Sequence, residues 1–214
     1  MASSDLIIRS APLGGYQTNC YTVQSGEHLW VVDAGFEPEP LLQLIGETGL
    51  TPEAIVLTHA HSDHIAGIRQ VLESYPNVPI WIATEEERWL ADPELNLSAY
   101  LGLGVTAPPA SRLLNDGDEL TLGETTWRVL HTPGHSPGGL TFVCDEHSVA
   151  IAGDALFANS IGRTDFPGSS HEQLVESIRT KLYALPDETR VLPGHGPETT
   201  IGREKRSNPF VPGE

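Results

Sequence analysis

Four side chains that could bind a metal lie within six consecutive residues of this chain. They are His59, His61, Asp63 and His64, in the pattern H-x-H-x-D-H. Imidazole and carboxylate groups together suit zinc, iron or manganese. A structural zinc site would rely on cysteine, and the chain has only 2 cysteines, which match no C-x-x-C pattern. The cluster therefore predicts a metal site that carries out chemistry.

Three more polar residues follow strand-like runs further along the chain. His135 and His195 each come after a Pro-Gly pair, and Asp154 comes after a glycine. Glycine lets the backbone turn sharply and direct a side chain into a crevice at the end of a strand. Any one of these residues alone would more often be a surface residue or a turn cap. Together with the first cluster they supply five histidines and two aspartates, enough for two metal ions.

Short apolar and β-branched runs predict the strands that position these groups. We place strands at 6–10, 20–24, 29–33, 54–58, 79–82, 119–122, 126–130, 140–144, 149–152 and 190–192. Apolar residues at helical spacing predict helices over 40–48, 63–75 and 170–185, the last with a capping signature that begins at Ser169 or Ser170. The β-rich block with its helices occurs twice, which predicts two sheets packed face to face with helices outside, an α/β sandwich.

Residues 85–112 are harder to interpret. They contain Pro93, Pro108 and Pro109 and show no clear periodicity. A long irregular segment of this kind is typical of a lid or a substrate loop. No composition shift marks a linker, so we expect one domain over residues 1–214.

Composition limits the class of partner. The net charge of −17 repels phosphate backbones and argues against nucleic acid. No apolar window is long enough to span a bilayer, and the N-terminus shows no signal peptide, so we expect a cytoplasmic protein with no membrane partner. Cys20 and Cys144 are expected to be free, buried thiols.

The complete motif set resembles that of the metallo-β-lactamase superfamily, and within it the short glyoxalase II-like (hydroxyacylglutathione hydrolase-like) group. The shared pattern is H-x-H-x-D-H, a distant histidine, an aspartate in Gly-Asp and a last histidine in Gly-His. Further matching segments lie at 18–21, 32–35, 162–167 and 203–210, so the resemblance covers nearly the whole chain. One departure concerns the C-terminus: glyoxalase II carries an added helical domain there, which we expect this chain to lack.

The resemblance implies an αββα four-layer sandwich with the site at the edge of the two sheets. It implies a first metal bound by His59, His61 and His135, a second bound by Asp63, His64 and His195, and Asp154 as a bridge. The cofactors would be two divalent metal ions, with Zn²⁺ as the first choice and iron or manganese as the alternatives.

The resemblance also implies a reaction. Metal-activated water would cleave a thioester such as S-lactoylglutathione, a small-molecule substrate. Asp63 and Asp154 would be the catalytic carboxylates, with Asp63 orienting the water as well as binding metal. The oligomeric state and the acyl group stay open.

Other activities of the same superfamily compete with this interpretation. Persulfide dioxygenases use one iron, held by the equivalents of His59, His135 and Asp154, and share the segment 162–166. The Gly-His-Gly context of His195 fits the two-metal hydrolase better. A lactonase stays open, whereas the missing signal peptide argues against a β-lactamase. A non-catalytic metal-binding domain is the remaining alternative.

Three polar residues outside the metal set have supporting roles in this interpretation. Asp33, at a strand end, either holds a histidine or loop amide or serves a turn. His131 is expected to support the turn before His135. Arg163 and Asp165 are expected to pair and fix their loop.

Overall fold

Two six-stranded sheets form the centre of the molecule in a computed structural model, which describes residues 6–213. The strands of the first sheet are, in spatial and chain order, β1 (Leu6–Leu13), β2 (Thr18–Ser25), β3 (His28–Val32), β4 (Ala54–Val56), β5 (Ile80–Ala83) and β6 (Arg112–Leu114). The strands of the second sheet are β7 (Glu119–Leu122), β8 (Thr125–His131), β9 (Leu140–Cys144), β10 (Val149–Gly153), β13 (Arg190–Pro193) and β14 (Thr199–Thr200). Their spatial order is β14-β13-β10-β9-β8-β7. A separate hairpin joins β11 (Leu156–Phe157) to β12 (Ser160–Ile161).

Helices cover the outer faces of both sheets. They are α1 (Glu39–Thr48), α2 (Ser62–Ile65), α3 (Ile68–Ser74), α4 (His171–Ser177) and α5 (Ile201–Ser207). Short 3₁₀ segments lie at Thr84–Ala91, Ser98–Leu101 and Asp145–His147, and α4 continues into a π turn at Ile178–Leu182. Within residues 6–213, no helix has the length and apolar character that crossing a membrane requires.

Successive apolar side chains of a strand point to opposite faces of its sheet, so each sheet packs against an apolar core on both faces. In β3, Trp30 and Val32 face the second sheet, whereas Leu29 and Val31 pack with the helices outside the first. A third apolar cluster lies between the second sheet and α4 and α5. These three cores separate four layers, and the predicted αββα sandwich is confirmed.

The predicted helix over 63–75 is wrong in one respect, because it is interrupted after α2. Gly67 donates its backbone N–H to Ala34 O at 2.8 Å. A Cβ at Gly67 would lie 2.3 Å from Gly35 O, so only glycine permits this approach. Gly67 thus packs against the loop that follows β3, and α3 begins only at Ile68.

Several further elements differ from the prediction. The helix expected over 170–185 ends as a regular helix at Ser177, and its cap is Ser170, whose Oγ accepts from Gln173 N at 3.3 Å. The sequence did not predict α5 or the short strands β11, β12 and β14, and it did not predict β6, which begins at the last residue of the irregular segment 85–112. That the whole of 1–214 is one domain stays a prediction, since residues 1–5 and 214 lie outside the described part.

The core between the sheets should dominate stability. Phe142 is 1% exposed and packs there, whereas Phe210 is 53% exposed. We expect Phe142→Ala to lower the free energy of unfolding by about 3–5 kcal/mol, because it leaves a cavity in a close-packed layer. Guanidinium denaturation of the metal-free protein measures this, with Phe210→Ala as the matched control. Equal losses in the two variants would contradict the layer assignment.

Candidate metal centre

The structure brings all seven predicted donors to one edge of the two sheets. His59 and His61 lie in the loop after β4, and Asp63 and His64 lie in α2, which follows directly. The other three follow strands of the second sheet: His135 comes after β8, Asp154 after β10 and His195 after β13. Strands β10 and β13 are parallel, so their carboxyl ends meet at the same edge.

Three groups of three donors form at this edge, and one of them, His59, His64 and Asp154, crosses the other two. In the three-histidine set, formed by His59, His61 and His135, one ligand atom of each lies within 4.8 Å of the others, and His61 Nδ1 is 2.9 Å from His135 Nε2. In the mixed set, formed by Asp63, His64 and His195, Asp63 Oδ2 lies 3.2 Å from His195 Nε2 and 3.5 Å from His64 Nε2.

Asp154 lies between the two sets. Its Oδ2 is 3.4 Å from His135 Nε2 and 3.4 Å from His195 Nε2, and its Oδ1 is 3.5 Å from His64 Nε2. One carboxylate therefore contacts both sets, as the predicted bridging role requires.

The donor atoms fit a metal by their spacing and by their missing partners. A tetrahedral ion with bonds of 2.0–2.1 Å holds its ligand atoms roughly 3.3 Å apart, close to the distances seen here. His59 Nε2, His64 Nε2 and Asp154 Oδ1 are buried and have no hydrogen-bond partner among residues 6–213. Buried polar atoms without partners are costly unless they bind a metal.

Hydrogen bonds at the far side of the rings orient the histidines. His64 Nδ1 lies 2.8 Å from Asp33 Oδ2, His135 Nδ1 lies 2.8 Å from Arg163 O, and His195 Nδ1 lies 3.1 Å from Tyr16 O. Each contact leaves Nε2 to face the centre, which is how outer partners fix metal-binding imidazoles.

Asp33 holds a histidine and a loop amide, which is the first of the two roles predicted for it. Its carboxylate accepts the Thr58 backbone N–H at 2.8 Å and the Thr58 hydroxyl at 2.7 Å, besides contacting His64. It therefore joins the end of the β4 segment to the mixed set. His131 has its expected role as well, since its Nε2 lies 2.8 Å from Pro137 O and holds the turn that contains His135.

The start of β2 holds the loop that carries His195. Asn19 Nδ2 donates to Pro193 O at 3.0 Å and to Gly196 O at 2.8 Å, and the Tyr21 hydroxyl donates to Pro193 O at 2.7 Å. One residue earlier, Thr18 Oγ1 donates to Asp63 Oδ2 at 2.9 Å. The motif at 18–21 thus links strands of both sheets across the site.

Electrostatics prepares the donors for a cation. Burial, reinforced by neighbouring imidazoles, lowers the pKa of His59, and burial likewise lowers the pKa of His61 to about 3. Burial alone would raise the pKa of Asp63 and Asp154, but the nearby His64 outweighs it and both carboxyl pKa values are lowered. At neutral pH the three-histidine set therefore offers neutral imidazoles, and Asp63 and Asp154 offer ionised carboxylates, the forms that bind metal. In the mixed set the neighbouring carboxylates raise the pKa of His64 to about 9 and that of His195 to about 10 against the effect of burial, so both rings must release a proton when a cation binds.

Five of the seven donors line a cleft of about 510 Å³, namely His61, Asp63, His135, Asp154 and His195. Its walls are largely apolar and comprise Tyr16, Leu97, Tyr100, Leu101, Phe157, Phe166 and Pro167. Three of these residues come from the segment 85–112, in agreement with a substrate loop. Arg163 lies on the same wall and pairs with Asp165, Nη2 to Oδ2 at 2.8 Å, so the predicted pair is present.

Sequence analysis missed several residues that shape this site. Glu86 lies between Glu85 and Glu87, so in the sequence it resembles part of a solvated acidic run. In the structure it is fully buried beside the loops that carry the three-histidine set. Burial raises its pKa, and the Ser136 hydroxyl and the backbone N–H groups of Gly138 and Ala60 oppose that shift. The motif at 18–21 was recognised, but its hydrogen bonds depend on contacts more than 40 residues away.

Comparison with known proteins identifies the family. Residues 13–195 match the model of the "Metallo-beta-lactamase superfamily". The probable metallo-hydrolase YqgX of Bacillus subtilis is 44% identical, with 96% of this chain and 97% of the relative covered. The hydroxyacylglutathione hydrolase GloC of Haemophilus influenzae is 39% identical, with 95% and 97% covered.

Solved structures give the same result. The crystal structure of the BLEG-1 B3 metallo-β-lactamase is 43% identical with a TM-score of 0.91, covering 97% of this chain and 100% of that one. TTHA1623 in a di-iron-bound form is 41% identical with a TM-score of 0.84, covering 95% and 100%.

Only glycine at position 194 leaves room for the side chains of Asp154 and His64 in the site. A Cβ there would lie 2.1 Å from Asp154 Oδ1 and 2.9 Å from His64 Cε1. We expect Gly194→Ala to displace the Asp154 carboxylate and weaken metal binding by about 10–100-fold. Metal content by mass spectrometry after dialysis at fixed free zinc measures the effect. Gly46→Ala in α1, where a Cβ meets nothing within 4 Å, is the control, and equal metal content in both would refute the expectation.

Proposed function

This chain belongs to the metallo-β-lactamase superfamily of metal-dependent hydrolases, and on that premise we propose that it is a thioester hydrolase of the glyoxalase II type. Its substrate would be a glutathione thioester such as S-lactoylglutathione. The observation that carries the proposal is the pair of three-donor sets that share Asp154 at the floor of an apolar cleft. The 39% identity to the hydroxyacylglutathione hydrolase GloC supports the substrate class.

We propose His59, His61 and His135 as ligands of a first ion, Asp63, His64 and His195 as ligands of a second, and Asp154 as the bridge. When bound, such ions activate water at neutral pH and polarise the carbonyl oxygen of the substrate. Zinc is the proposed metal, since His and Asp donors suit it, while the di-iron form of TTHA1623 makes iron the alternative.

Asp63 orients the attacking water in this proposal. Thr18 Oγ1 donates a hydrogen bond to its Oδ2 at 2.9 Å, and in the proposal Oδ1 accepts a hydrogen bond from the water. Thr18 thus fixes the carboxylate so that it directs the water at the carbonyl carbon. The chain needs no thiol nucleophile for this chemistry, and its two free cysteines are buried, with the pKa of Cys20 raised well above its ordinary value by burial.

The cleft suits a thioester in two ways. A thiolate leaves readily, since a free thiol has a pKa of about 8.5, so strong protonation of the leaving group is unnecessary. Apolar walls exclude water from the acyl group, and Arg163 offers a partner for a carboxylate of the carrier.

A second candidate is the hydrolysis of a cyclic ester or amide, either a lactone or a β-lactam. The likeness to the BLEG-1 B3 metallo-β-lactamase favours it, because that protein matches this chain over 97% of its length. The same carbonyl chemistry applies, and the two candidates differ in what the cleft walls accept. Turnover of a lactone and β-lactam panel beside S-lactoylglutathione separates them.

The two aspartates should be indispensable. We expect Asp63→Ala and Asp154→Ala to lower kcat/KM for S-lactoylglutathione by at least about two orders of magnitude, because each removes a metal contact and Asp63 also orients the water. Circular dichroism should show that both variants fold. Glu124→Ala, an exposed carboxylate on a hairpin, is the control. Full activity in either aspartate variant would refute the mechanism.

Metal stoichiometry should separate this hydrolase from a one-iron persulfide dioxygenase. We expect about two divalent ions per chain, hydrolysis of S-lactoylglutathione, and no oxygen uptake with glutathione persulfide. Metal analysis, a thioesterase assay and an oxygen electrode on one sample measure all three. One iron per chain with oxygen uptake and no hydrolysis would replace the proposal with the dioxygenase.

A further inference from the structure

Glu86 is a buried carboxylate that the reaction proposed above does not use. It lies in the 3₁₀ segment Thr84–Ala91, directly after β5, and its exposure is 0%. Its neighbours Glu85 and Glu87 are exposed, so the run of three glutamates is buried at one position only. A buried carboxylate is costly unless hydrogen bonds compensate it.

Two backbone N–H groups provide that compensation, and both belong to metal loops. Ala60 N donates to Glu86 Oε2 at 2.5 Å, and Gly138 N donates to Glu86 Oε1 at 2.7 Å. Ala60 stands between His59 and His61 in sequence, and Gly138 follows His135 by three residues. One carboxylate therefore holds together the two loops that carry the three-histidine set.

We propose that Glu86 is a positioning residue that sets the geometry of the three-histidine set. This inference rests on the proposed two-metal site, in which this set holds the first ion. Glu86 contacts no donor atom itself. It acts through the backbone on either side of the site.

The same segment contacts the set a second time. In a 3₁₀ helix, residues three apart lie on one face, which places Trp89 on the same side as Glu86. The Trp89 ring lies 5.8 Å from the His61 ring, centroid to centroid. The 3₁₀ segment therefore packs against His61 with one side chain and bonds its loop with another.

The mixed set is held by other groups. Asp33 contacts His64, and Thr18 donates to Asp63. The helix that carries these two ligands is anchored separately, since Ala34 N donates to His64 O at 2.8 Å. Loss of the Glu86 contacts should therefore affect the three-histidine set first.

Only a carboxylate satisfies both loops. Each of its two oxygens faces a backbone N–H, and an acid side chain accepts at both. Glutamine has nearly the same shape, but it would turn an NH₂ group towards one of the two N–H donors. One loop would lose its partner and shift, because an unsatisfied buried donor is unfavourable.

The experiment is a competition titration of the metal-free chain with Co²⁺ against a chromophoric chelator, followed by visible spectroscopy. We expect E86Q to weaken one of the two binding constants by about 10–100-fold and to change the d–d spectrum of that ion. The T18V variant should weaken the other constant. E87Q, the same change at the exposed neighbour, should alter neither.

The outcomes are distinguishable. A wild-type chain that binds only one Co²⁺ would count against the proposed two-metal site. Wild-type binding of two ions, with both constants and the spectrum unchanged in E86Q, would overturn the role of Glu86. If E86Q does not fold, G138A replaces it, since a Cβ there would lie 2.7 Å from Glu86 Cγ and displace the carboxylate. Wild-type constants in folded G138A would overturn the inference equally.

Discussion

The structure depends on one constraint: the seven proposed metal donors must stay close together although most of them are buried. Neighbouring donor atoms lie 2.9–3.5 Å apart, and several have no hydrogen-bond partner among residues 6–213. Lone pairs at these distances repel each other, and buried polar groups lose their hydration. The donors cannot gather by themselves, so the rest of the fold must hold them there until a cation binds.

The fold meets this constraint with strand ends and outward hydrogen bonds. The donors follow strands of both sheets at one edge. The hydrogen bonds between strands therefore fix the backbone before the chain turns into the site. Asp33 and the carbonyl oxygens of Arg163 and Tyr16 fix the imidazole rings from outside. At Gly194 the absence of a Cβ leaves the space that Asp154 occupies. Glycine is therefore required at such a turn for two reasons: it allows the backbone to bend, and it leaves room for a neighbouring side chain.

Sequence analysis predicted the parts of the molecule that repeat a local pattern. The sandwich followed from alternating apolar runs, and the seven donors followed from residue type and spacing. Contacts between distant segments have no such signature, as the break in the helix at Gly67 shows: it depends on Gly35, 32 positions earlier. The role of Glu86 could not be predicted for the same reason. Glu85, Glu86 and Glu87 are identical in sequence, and only the structure shows that Glu86 alone is buried.

Charge balance explains why carboxyl groups surround a site built mostly of histidine. Asp33, Asp63 and Asp154 bring three carboxyl groups to the mixed set and the bridge, and Glu86 adds a fourth behind the three-histidine set. Two divalent cations bring four positive charges, and buried charge is tolerated only when it is paired. Without cations, the carboxylates can be balanced only by the imidazoles, and they accordingly raise the pKa of His64 and His195 against the effect of burial. The buried charges of this fold therefore suit the proposed metal-bound state, and the hydrogen bonds of Glu86 and Asp33 hold the loops in the arrangement that this state requires.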